Sequence, residues 1–231
     1  MNNLEIKRDN DRIFAQGNYP DMKSEYYPGF RTESGAWGRK FKVSEHIRRI
    51  TTIACVLENA GKRIIALNFA SAKNPGGGYV TGANAQEESL CRCSMLYYTI
   101  RECEEYYSAN RNHKGADYTD GMIYSSNVPV IRNDSGELLE NPVLCDFITC
   151  PAVNRRAAGA YISGEKLNAA MERRIDGITA LALSKNPDVV VFGAFGCGVF
   201  GNRRETVYPL FEKAIEKYWD GKAEIIFADP K

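Results

Sequence analysis

The sequence predicts an α/β layered fold with a largely parallel sheet and a ligand crevice at the carboxyl ends of its strands. Two observations carry this expectation. Short apolar runs alternate with stretches of helical period through the C-terminal two thirds of the chain. Twice, an apolar run leads into closely spaced glycines, at Gly76 to Gly78 and Gly193 to Gly201, and a helical pattern follows. A chain of 231 residues, 44% hydrophobic and 26% charged, suits one domain with a sizeable core.

The elements are expected in this order. "GNYPDMKSEYYPGFRTESGAWG" mixes glycine, proline, tyrosine and charge without a period, which predicts an extended, loop-rich segment within the first 60 residues. "SEHIRRITTIACVLENAG" predicts a helix with Ser44 as N-cap and Gly61 as its stop. "RIIALNFA" predicts a buried strand, and the pattern Leu90, Met95, Leu96, Ile100, Cys103 predicts a long helix after the first glycine loop. "MIYSSNVPVI" and "PVLCDFITCPAVN" predict two strands bounded by turn residues. Leu167, Met171, Ile175, Ile178 and Leu181 predict a helix interrupted only by Gly177. The strand "PDVVVF", the helix "RRETVYPLFEKAIEKYW" and the strand "AEIIFA" complete the order.

Charge and cysteine usage narrow the class. Thirty basic against 29 acidic residues argue against a partner held by bulk electrostatics, so no specific nucleic acid is expected. No apolar run reaches the roughly 20 residues of a membrane span, and the charged N-terminus lacks a secretory h-region. Seven cysteines without a CxxC pair predict free thiols in a reducing cytoplasm. His46 and His113 are the only histidines and stand in no HxxxH or HExxH spacing, so neither a metal site nor a histidine triad is expected.

The second glycine loop contains GCGVFG and formally satisfies GxGxxG. A Rossmann domain is disfavoured, because the residues after Gly201 suffice for one helix and one strand only. The local physics remains: glycine backbone admits an anion, and a helix N-terminus attracts it, so a diphosphate is the natural guest. Phe195 and Phe200 alternate with these glycines, and each is open to either a sugar contact or core packing. In the first loop, Gln86, Glu87 and Glu88 open a helix shortly after Gly78. Neighbouring helical side chains diverge by roughly 100°, so the two glutamates are free to take different targets.

"NFASAKNPGGGYVTGANAQEESLCRCS" resembles the signature of the microbial type of poly(ADP-ribose) glycohydrolase, GGG followed by QEE. "YTDGMIYSSNVPVIRND", "ITCPAVN" and "VFGAFGCGVFGN" are similar to that family's later blocks, and the likeness spans roughly residues 63 to 228. The resemblance implies a macrodomain-like three-layer α/β/α sandwich with a mixed, largely parallel sheet. Residues 1–60, outside the likeness, are expected to form an N-terminal extension partly packed on the core, and residues 61–231 the catalytic domain, as one compact unit. The resemblance implies hydrolysis of ribose–ribose O-glycosidic bonds in poly(ADP-ribose) on modified proteins, and a monomer without a cofactor is expected. Glu88 would be the general acid and base, and Glu87 would bind ribose hydroxyls. Gln86 would order the loop, and Asn74 would contact a ribose. Gly76, Gly77 and Gly78 would lie along the diphosphate, with Gly196, Cys197, Gly198, Val199 and Phe200 wrapping its other side. A macrodomain that binds ADP-ribose without cutting it, and a mono-ADP-ribosyl hydrolase, are the alternatives.

Such chemistry sets a condition. Leaving-group protonation needs a carboxyl that holds a proton near neutral pH, so burial and the neighbouring Glu87 are expected to raise the Glu88 pKa against the helix dipole.

Overall fold

The computed structural model describes residues 1–17, 20–33 and 37–231. Residues 18–19 and 34–36 of the expected loop-rich segment lie outside the described residues. The elements are α1 (Asn3–Gln16), β1 (Lys23–Tyr27), β2 (Ile47–Arg48), α2 (Thr52–Glu58), β3 (Ile64–Phe69), α3 (Gln86–Cys93), α4 (Leu96–Ile100), α5 (Glu104–Asn112), β4 (Met122–Arg132), β5 (Leu138–Cys150), α6 (Arg155–Ala158), α7 (Gly164–Ser184), β6 (Val189–Gly193), α8 (Arg204–Tyr218) and β7 (Glu224–Ala228).

Among the described residues seven strands form one sheet in the order β1-β4-β5-β3-β6-β7-β2. The pairings β3–β5, β3–β6, β6–β7 and β2–β7 are parallel, while β1–β4 and β4–β5 are antiparallel. The sheet is mixed and mostly parallel, as expected. Alternation along β3 builds the layers: Ile65 and Leu67 enter a core with α7 and α8, while Ile64 and Ala66 enter a second core with α2 to α5. Helices therefore cover both faces, and β3 is buried at the centre. The carboxyl ends of β5, β3 and β6 lie side by side, which gathers the segments after Cys150, Phe69 and Gly193 at one edge.

Three local expectations need correction. The helix predicted from Ser44 is divided: Val43–Glu45 form a single 3-10 turn, and Ile47–Arg48 pair with β7, with Phe227 N donating to His46 O at 2.9 Å. The helix itself begins after Thr51, whose side chain accepts from Ala54 N at 3.0 Å. The long helix after the first loop also breaks, because Ser94 is extended and bridges Val130, and Met95 N donates to Pro129 O at 3.0 Å. Finally, α1 stands in a stretch for which the sequence argument named no element. Asn2 caps it by accepting from Leu4 N and Glu5 N, and Glu5 returns a bond to Asn2 N at 2.8 Å, which is a capping box.

Candidate active site

The first glycine loop leaves β3 and lies against the mouth of α3. Gly76 and Gly77 hold φ of +67° and +59°, a left-handed conformation that glycine adopts without strain. A methyl group on Gly77 would lie 2.6 Å from Glu88 Oε1 and 3.0 Å from Glu87 Oε2. The two carboxyls therefore converge on one glycine, although adjacent helical side chains diverge. Their outer partners differ. Glu87 faces β3, accepting from Ser71 N at 2.6 Å and Asn68 Nδ2 at 3.3 Å. Glu88 faces the loop, accepting from Gly78 N at 2.8 Å and Ala85 N at 3.1 Å. Both are buried, so two acidic groups share a buried corner whose donors are mainly backbone amides.

The group that burial pushes up is Glu87, to about 8, with the like charge of Glu88 adding to the rise and the Ser71, Asn68 and Gly76 donors opposing it. Glu87 lies between the loop and the interior, with Gly77 on one side and β3 and α5 on the other.

Gln86 stands beside the pair and has a structural task. Its Nε2 donates to Leu67 O at 2.8 Å and Thr52 Oγ1 at 3.2 Å, and its Oε1 accepts from Phe69 N at 2.9 Å. This ties α3 to the end of β3 and to α2. Asn74 is exposed and acts through its backbone: its carbonyl accepts from Gly77 N at 3.0 Å and its N–H donates to Ser71 Oγ at 3.1 Å.

The second loop follows β6, the strand next to β3. Gly196 has φ of +71°, and a methyl there would lie 2.4 Å from Ala152 Cβ and 2.6 Å from Asn202 Nδ2. Asn202 Nδ2 donates to Val153 O at 2.9 Å and Gly196 O at 3.2 Å, binding this loop to the segment after β5. Gly198 is unencumbered, Val199 is largely exposed, Cys197 is half-buried, and Phe200 is half-buried with its ring 6.1 Å from Tyr118. Phe195 is fully buried and packs edge-on against Phe69 at 5.8 Å, which assigns it to the core.

Several supporting residues escaped the sequence argument. Asn68 and Thr149 on β3 and β5 are buried polar groups under Glu87. Arg174, fully buried on α7, donates to Pro151 O at 2.8 Å and Asp117 O at 2.6 Å, fixing the segments beside the second loop. Tyr118, against Phe200, has φ of +56°, an uncommon conformation for a bulky residue. A lone Asn inside the apolar run "IIALNF" was the one available signal among these; the others depend on contacts distant in sequence.

A buried carboxyl pair overlaid by glycine backbone, at the carboxyl ends of the central parallel strands, is the equipment of a glycosidase on an α/β scaffold. Comparison with known proteins specifies which kind. The family described as microbial-type PARG, catalytic domain, matches residues 7–133. The poly(ADP-ribose) glycohydrolase of Thermomonospora curvata is 33% identical, over 89% of this chain and 79% of that one, with a TM-score of 0.76. The same enzyme bound to the inhibitor ADP-HPD matches over 99% of this chain and 93% of that one, at 30% identity and a TM-score of 0.80. The poly(ADP-ribose) glycohydrolase of Deinococcus radiodurans in complex with ADP-ribose is 35% identical, over 90% of this chain and 88% of that one, with a TM-score of 0.75. Comparison with curated proteins gave no match. The chain belongs to the microbial-type poly(ADP-ribose) glycohydrolase family. The family likeness begins at residue 7 rather than near residue 63, so it includes the segment that supplies both edge strands of the sheet.

Proposed function

We propose that this glycohydrolase cleaves the ribose–ribose O-glycosidic bond with Glu88 as acid and then base, and with the substrate diphosphate lying between the two glycine loops. The observation that carries the assignment is the convergence of Glu87 and Glu88 on Gly77, where the absence of a side chain lets the loop backbone lie against both carboxyls. In the first half of the reaction the glycosidic C–O bond breaks, and a proton passes to the departing ribose oxygen. The developing oxocarbenium charge is offset by the diphosphate, held along Gly76 to Gly78 and against Gly196, Cys197, Gly198, Val199 and Phe200. In the second half Glu88 takes a proton from water as the water oxygen bonds to the anomeric carbon.

Glu87 receives ribose hydroxyls. The proton given to the leaving ribose oxygen comes from Glu88 and is restored to it by the attacking water, while burial pushes the neighbouring Glu87 carboxyl up to about 8. Gln86 acts on the substrate indirectly, by fixing α3 to β3, and Asn74 acts chiefly through the turn that sets Gly77.

The substrate is the polymer on modified proteins, and no nucleic acid or membrane partner enters. Nearly balanced charge supports the first exclusion, and among the described residues no helix is long and apolar enough to cross a membrane. Among the described residues seven free thiols, six of them buried, accord with action in a reducing cytoplasm; the enzyme acts as a monomer without a cofactor. Residues 1–60 supply both edge strands of the sheet and act with residues 61–231 as one compact unit. Incubation with poly(ADP-ribose) tests the function: release of ADP-ribose is expected. Binding of ADP-ribose without release, or release only from singly modified proteins, would replace this assignment.

A further inference from the structure

Asn68 is the single polar side chain in β3, and it is wholly buried. Its Nδ2 donates to Glu87 Oε1 at 3.3 Å and to Thr149 Oγ1 at 3.1 Å, which uses both hydrogens. Its Oδ1 is buried without a partner. Thr149 stands directly opposite in the β3–β5 register, so the amide is held between a strand neighbour and the carboxyl pair. Buried polar atoms are nearly always satisfied, and an orphan beside an acidic site calls for an explanation in that site.

Amide geometry allows two arrangements there. A half-turn about the last side-chain torsion exchanges nitrogen and oxygen with almost no change of shape. In the present orientation Asn68 donates to a Glu87 carboxylate. In the other, Oδ1 accepts from a protonated Glu87 Oε1 and from the Thr149 hydroxyl, and Nδ2 takes the position that has no partner. Glu87 Oε2 meanwhile keeps its bond from Ser71 N in both states. The titratable groups facing Glu87 are Glu88 and Cys91 on its own helix and Tyr106 and Tyr107 on α5. None of these is a cation able to hold the carboxylate in place of the amide.

We infer that Asn68 is a positioning residue that keeps Glu87 in one place whether or not it carries a proton, by presenting either its donor or its acceptor. The inference rests on the proposed roles of the carboxyl pair. It explains why a neutral amide, able to play both parts, lies where a fixed donor or acceptor would suit only one state.

Carbon-13 carboxyl and side-chain amide NMR of the full chain, titrated from pH 5 to 9 without substrate, reads the coupling directly. In the wild type the Asn68 amide signals should shift with the same midpoint as the Glu87 carboxyl. In Asn68→Ala the Glu87 midpoint should rise by about one pH unit, since a donor to the charged form is lost. Asn68→Asp should raise it further, because a second carboxylate then faces Glu87. The pH profile of ADP-ribose release should move by the same amount in each variant. Asn68 signals indifferent to Glu87 titration in the wild type would overturn the inference even if both variants failed to fold. So would a Glu87 midpoint unchanged in a folded Asn68→Ala. Absence of polymer hydrolysis by a wild type that shows the coupling would instead count against the proposed function alone.

Discussion

Replacing Glu87 with glutamine removes a buried group whose ionisation works against the fold. The folded carboxyl is pushed up to about 8 from an ordinary 4.5, and the side chain is 3% exposed, so solvent screens it little. Below pH 4.5 folded and unfolded chains both hold the proton, and the stability is fully present. Between pH 4.5 and 8 the unfolded chain releases that proton more readily, so stability is lost as pH rises, and the loss levels off above the folded value. The shift corresponds to about 3 kcal/mol at pH 7 and about 5 kcal/mol above pH 8. Glutamine preserves the shape, can accept from Ser71 N and can donate to the orphaned Asn68 Oδ1 once that amide turns. Glu87→Gln should therefore match the wild type near pH 4.5 and melt roughly 6–12 °C higher at pH 7, as a domain of this size gains about 2–4 °C per kcal/mol. Calorimetric scans across pH 4.5 to 8.5 measure the gap. A gap independent of pH, or one that narrows as pH rises, would refute the reasoning.

Three further substitutions probe the loops and their support. Gly77→Ala places a methyl 2.6 Å from Glu88 Oε1 at a positive φ, so kcat on poly(ADP-ribose) should fall by about 100-fold with an unchanged circular dichroism spectrum; near-normal turnover would contradict the geometry. Gly196→Ala drives a methyl into Ala152 and Asn202 and should weaken ADP-ribose binding by about tenfold or more in titration calorimetry, whereas unaltered affinity would remove the second loop from the site. Asn10, fully buried on α1, joins Arg92 O at 2.9 Å, Tyr79 OH at 3.3 Å and Arg132 Nε at 2.9 Å. Asn10→Ala should lower urea stability by about 2–3 kcal/mol, and a loss below about 0.5 kcal/mol would show that α1 is not anchored there.

The parts legible in the sequence are those whose signal is local. The apolar strands β3, β6 and β7 and the helical periods of α7 and α8 depend on neighbouring residues, and so do both glycine loops. Where the reading failed, a distant partner decided the outcome. Ser94 breaks the long helix because Pro129 and Val130 pair beside it, and Ile47–Arg48 become a strand because the edge of β7 is free to receive them. The capping box of α1 was visible at Asn2 and Glu5, yet its polar helix carries too little apolar pattern to stand out. At the site, the sequence located the carboxyl pair but not the depth to which Glu87 is buried. Asn68, Ser71 and Gly77 determine that depth together.

The central claim is that Glu88 transfers the proton at the scissile bond while the glycine loops hold the diphosphate independently of it. Product analysis on poly(ADP-ribose), paired with ADP-ribose titration calorimetry for the wild type and Glu88→Gln, tests it most directly. The account predicts that the variant releases no ADP-ribose while its affinity stays within about an order of magnitude of the wild type. Substantial turnover by Glu88→Gln would contradict it.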